Sequence, residues 1–136
     1  MPINTHLTSD RFGIVLECTG MVDGDELVEA NATVSACASC RYQLWLFAEG
    51  AHVVADAEAV HRLAIQDSNI PSWSSLEKIA VVGQHRSVLD LTRIYELYSK
   101  AWVGRHRDFE VRHFMELASA RDWLAVEIDR PPGQSR

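Results

Sequence analysis

Residues 42–48, YQLWLFA, are apolar at nearly every position. A strand half in water alternates hydrophobic and polar side chains. A strand hydrophobic at both sets of alternate positions needs cover on both faces, as in the middle of a parallel sheet with helices packed on it. EKIAVVG, residues 77–83, is a second run of this kind and closes on Gly83. Two buried strands in one small chain require helices between and around them, and the intervening periodicities supply these.

FGIVLECTG, residues 12–20, alternates and is rich in β-formers, giving a strand from Phe12 to about Thr19. THLTS, residues 5–9, reads as a short antiparallel partner turning at Asp10-Arg11. Helical spacing then takes over, with Leu27, Ala30, Val34 and Cys37 on one face. Asp23 and Glu26 form a capping-box pattern at its start, and the early acids suit the positive end of the helix dipole. ADAEAVHRLAIQD, residues 55–67, is a second helix with Val60, Leu63 and Ala64 inward. SNIPSWSS, residues 68–75, is a loop, because Pro71 and the serines interrupt any period.

Ser87 and Asp90 suggest a capping box for a third helix, whose Val88, Leu91, Tyr95, Tyr98 and Trp102 form the clearest amphipathic stripe in the chain. Gly104 is placed to end it. FEVRHF, residues 109–114, is a strand with Phe109, Val111 and His113 on one face. ELASARDWL, residues 116–124, is a fourth helix. Strands alternating with helices specify a mostly parallel sheet, and right-handed crossovers fix much of its topology.

The length, 136 residues, suits one domain with one core. The net charge of −6 is uneven: residues 1–60 hold two basic and nine acidic side chains, and the rest is close to neutral. That half would repel a phosphate backbone, so no nucleic-acid partner is expected. No apolar run approaches the ~20 residues of a membrane span, and the N-terminus lacks the apolar core of a signal peptide. Three cysteines fit reduced thiols better than a disulfide framework. A cytoplasmic location is the expectation.

Several segments together carry a family resemblance. These are CTGMVDGDEL leading into the first helix, the YQLWLFA strand, LEKIAVVG in the middle, and the ending FEVRHFMELASARDWL. In this arrangement the chain resembles the STAS domain, and within it the SpoIIAA-like group, whose fold is related to the CRAL-TRIO lipid-binding domains. The likeness covers roughly residues 6–125. The expectation is an α/β fold with a four- to five-stranded, mostly parallel sheet, an antiparallel edge strand and about four helices. A single domain over 1–125 would be followed by a tail at 126–136.

The anti-sigma-factor antagonists of this family carry an Asp-Ser pair at the start of the helix after the central strand, and phosphate on the serine breaks partner binding. Carried onto this chain without gaps from Tyr42, the pair falls at Asp56-Ala57. The acid is present and the hydroxyl is not, so the resemblance implies a docking surface without its switch. Ser68 and Ser72 lie too far away to replace it.

The residues themselves offer a few candidate sites. Glu49, Gly50, His52, Asp56 and Ala57 follow the inner strand and form the candidate partner or ligand surface. Glu49, His52 and Asp56 could bind a cation or supply an acid and a base, but a solvated turn and a helix cap are the favoured reading. His61 lies too far along its helix to join them. His85 and Arg86 precede a helix and could touch an anion, but VVGQHRS lacks the second glycine and the lysine of a P-loop. Cys37 and Cys40 form a CxxC at the end of a helix, where the dipole disfavours a thiolate. With Cys18 a doubtful third ligand, core packing suits them better than zinc or redox chemistry. Arg105, His106, Arg107 and Arg112 form a basic cluster that reads as a solvated connection or a contact for an acidic partner. Trp73 stands in a polar loop.

No metal, cofactor or catalytic constellation is expected. The reading is a non-enzymatic, STAS-like regulatory or interaction module that binds a protein partner or a second copy of itself. The alternatives are a carrier of a small apolar molecule or lipid and a CxxC thiol enzyme.

Overall fold

The computed structural model describes residues 3–9, 12–35, 39–69, 75–103 and 109–128. In chain order the elements are β1 (Ile3–Leu7), β2 (Gly13–Cys18), β3 (Met21–Asp23), α1 (Gly24–Ser35), β4 (Tyr42–Phe47), β5 (His52–Val54), α2 (Ala57–Ser68), β6 (Lys78–Val82), α3 (Arg86–Val103), β7 (Glu110–Phe114) and α4 (Leu117–Ile128). Five strands form one sheet in the order β1-β2-β4-β6-β7. Only β1 runs antiparallel, with Ile3 opposite Cys18 and Leu7 opposite Ile14; the other neighbours are parallel. The segment apolar on both faces is therefore the middle strand, as its pattern requires.

The two faces are covered unequally. Ile14, Leu16, Cys18, Trp45, Phe47, Ile79 and Val81 pack with Leu27 and Val34 of α1, Val60 and Leu63 of α2, and Val88 and Tyr95 of α3. Val15, Tyr42, Leu44, Ala80 and Val82 on the other face meet Ala120 and Leu124 of α4. The topology explains the imbalance. The parallel strands follow one another in chain order across the sheet, so crossovers of one hand put three helices on one side. Only the terminal helix returns to the other.

Tyr42 lies across β2 at Gly13, where a Cβ would fall 2.1 Å from ring atoms Cε1 and Cζ. Below α4, Lys78 is buried; its Nζ donates to the Trp123 carbonyl at 2.6 Å and lies 4.6 Å from the centroid of that indole.

Three features depart from the sequence reading. Two short strands, β3 and β5, were not expected; they pair in parallel, Met21 with His52 and Asp23 with Val54, as a separate ribbon. The fourth helix extends to Ile128, into the stretch read as tail. The Ser87-Asp90 capping box does not form. The Ser87 N–H donates instead to His85 Nδ1 at 3.1 Å, and the Asp90 carboxylate lies 3.8 Å from Arg86 Nε. Asp23 and Glu26, by contrast, make both bonds of their box: Asp23 N–H donates to Glu26 Oε1 at 3.1 Å and Glu26 N–H to Asp23 Oδ1 at 2.9 Å. The Asp10-Arg11 turn, Cys37, Trp73, Gly104, the Arg105-His106-Arg107 cluster and residues 129–136 lie outside the described residues.

Candidate functional site

The carboxyl ends of parallel strands are where open α/β sheets expose backbone and loops to ligands. Here that edge carries two distinct surfaces, one on each side of the sheet.

On the three-helix side stands the β3-β5 ribbon. Ala48 N–H donates to Cys18 O at 2.9 Å, extending the β2-β4 ladder by one residue. The chain then reverses through Glu49 and Gly50, with Ala51 N–H donating to Ala48 O at 2.9 Å. Gly50 has φ +82°, the left-handed value that the third position of a type II turn needs and that glycine adopts freely. His52 N–H then meets Gly20 O at 3.0 Å and starts the ribbon.

The candidate residues separate at this point. Glu49 is on the exposed turn. His52 is half-buried, its ring 5.5 Å from that of His85. Asp56 caps α2, its Oδ1 accepting from Ala59 N–H at 2.9 Å, and Ala57 is the exposed first helical residue. Among the described residues no group of three or more histidines, cysteines or acids could hold a metal ion.

His85, the ring neighbour of His52, belongs to a small hydrogen-bonded clasp with Ser87 and the Val53 backbone. Ser87 Oγ accepts from Val53 N–H at 2.8 Å and lies 2.8 Å from His85 Nδ1. The same Nδ1 accepts the Ser87 N–H at 3.1 Å. The clasp fastens the ribbon to the start of α3. His85 therefore serves as a helix cap, and exposed Arg86 lies within ion-pair distance of Asp90.

On the α4 side a cleft of about 480 Å³ opens between the ends of β2, β4 and β6 and the start of α4. Leu46, Phe47, Val82 and Leu117 give it an apolar lining, and Glu17, Glu49 and Glu116 bring carboxylates. Met115, also in the lining, is 55% exposed. Of these, only Glu49 was singled out from the sequence. Glu17 had a visible signal, a lone charge in the apolar run GIVLEC. Glu116 and Met115 had none.

The interior holds a cavity of about 50 Å³ beneath α1, α2 and α3, walled by apolar side chains such as Leu27, Trp45, Leu63 and Val81. Cys18 and Cys40 are both buried and reduced. Burial, followed by the nearby Glu26 carboxylate, pushes the Cys18 thiol up from 9.0 to about 12. Among the described residues no helix is long and apolar enough to cross a membrane.

Compared with protein-family models, curated proteins and solved structures, the chain matches none of them.

Proposed function

We propose that this chain is a non-enzymatic, STAS-like interaction module that docks a protein partner along the carboxyl edge of its sheet and lacks the family's phosphate switch. One observation carries the reading. Asp56 caps the helix that follows the central strand, and the next residue, exposed on the first turn, is Ala57. This is the location where the resemblance calls for an acid followed by a phosphorylated serine, and alanine accepts no phosphoryl group.

The alternatives draw less support. The interior cavity, about 50 Å³, is far smaller than the roughly 300–1,000 Å³ of ordinary ligand pockets and does not enclose a lipid; the larger cleft beside α4 is open and carries three carboxylates, which suits an apolar cargo poorly. A thiol enzyme would use the Cys37-Cys40 pair; Cys40 is buried, which disfavours the exposed thiolate such chemistry needs, and Cys37 lies outside the described residues.

The test is retention of host proteins on the immobilised full chain, compared with Ala57→Arg and Glu58→Arg, which alter exposed residues of the first turn of α2. A partner held by the natural chain and lost from both variants, with unchanged melting, supports the reading. Retention of no host protein by the natural chain overturns it, and identical retention by all three chains moves the docking surface away from the start of α2.

A further inference from the structure

The cleft on the α4 side has a topological origin. Three helices lie on the opposite face, and α4 packs against β6 and β7. The carboxyl halves of β2 and β4 are left partly open, with Glu17 exposed and Leu46 half-buried. Among the described residues the lining combines an apolar floor with three carboxylates and contains no lysine, arginine or histidine. Among the described residues, Glu17, Glu49 and Glu116 make no ion pair or side-chain hydrogen bond.

We infer that this cleft docks a lysine- or arginine-bearing segment of the partner protein, with apolar residues flanking the cation. The inference rests on the interaction-module reading and names its partner's chemistry. The carboxylates do not converge as metal ligands do; they stand around an apolar floor. That spacing suits a cation on a hydrocarbon stem, whose methylenes cover apolar surface while the head stays among acids and water. A volume of about 480 Å³ falls within the range of functional pockets. Exposed Met115, unbranched and adaptable, can fit varied apolar neighbours. The acidic half of the chain, residues 1–60, supplies Glu17 and Glu49 and adds a long-range attraction for a basic segment.

The test is NMR of the full chain titrated with a short synthetic peptide alternating leucine with lysine and arginine, beside a counterpart carrying glutamate at the basic positions. Saturable shifts are expected at Leu46, Val82, Gln84, Met115 and Leu117 with the basic peptide only. Added salt should weaken them. The double variant Glu17→Lys/Glu116→Lys changes exposed residues and should fold. It should weaken binding about tenfold or more; Glu17→Gln/Glu116→Gln should fall between. Shifts scattered over the surface, equal binding of the acidic peptide, or unchanged affinity in both double variants overturns the inference. If a partner retained by the natural chain also binds the double lysine variant equally, the docking site is wrong while the module reading stands. If the natural chain retains no host protein yet the basic peptide still seats in the cleft, the module reading falls and the cleft assignment survives.

Discussion

The phenolic oxygen of Tyr95 lies 2.5 Å from Asp67 Oδ2, in the buried seam between α3 and α2. The other oxygen of Asp67 accepts from Asn31 Nδ2 at 3.0 Å. The same amide donates to Gln66 Oε1 at 2.9 Å, and Gln66 Nε2 donates to Val28 O at 3.0 Å. Three helices on one face of the sheet are thus joined by a buried polar network as well as by apolar contact. Tyr95→Phe keeps the ring and deletes the donor to a buried carboxylate, which costs about 1–3 kcal/mol. Urea unfolding should show a lower midpoint with an unchanged slope. An unchanged midpoint would show that the bond adds nothing to stability.

Gly13 leaves room for the Tyr42 ring across β2. Gly13→Ala puts a methyl group into that ring and should destabilise by about 1–3 kcal/mol through overpacking. The companion change Tyr42→Leu in the Gly13→Ala background should recover part of the loss, because the obstruction is the ring itself. Thermal melting of the two single variants and the double variant measures the coupling.

Cys18 is held protonated by burial, with Glu26 adding to the effect, so its folded pKa, about 12, lies above the unfolded value. The unfolded chain releases this proton first as pH rises. The contribution to stability is full below about 9, declines above it, and is spent once the pH passes about 12. Cys18→Ala should therefore flatten the fall in stability over that alkaline window. At pH 8 in native buffer, iodoacetamide should leave Cys18 unmodified and react only after denaturant is added; mass spectrometry of the peptide reads this directly.

Ser87→Ala removes the oxygen that accepts from Val53 N–H. The ribbon has only three paired positions, so little else protects that amide. Hydrogen exchange at Val53 should speed by about tenfold, the equivalent of about 1.4 kcal/mol, while amides of β4 and β6 keep their rates. Equal acceleration throughout would show a global effect rather than release of a local clasp.

The sequence alone determined what depends on local periodicity. Alternation, helical spacing and capping chemistry act over a few residues, so the five main strands, the four helices and the Asp23-Glu26 box were legible. The inner position of β4 was legible too, because residues apolar on both faces have to be covered twice. Locality was also the limit. Ser87-Asp90 has the spacing of a capping box, yet Ser87 is taken by Val53, a backbone group 34 residues away. Asn31, Asp67 and Tyr95 each occupy a core-facing position of their own helix, and nothing local says that three polar groups will meet and satisfy one another. The β3-β5 ribbon has no apolar run to announce it; it forms because β2 and β4, adjacent in the sheet, deliver Gly20 and His52 to the same place. The cleft likewise comes from strand order, which leaves a single helix to cover one whole face. Only tertiary structure decided these features, because each depends on groups distant in the chain that come together when the sheet is assembled.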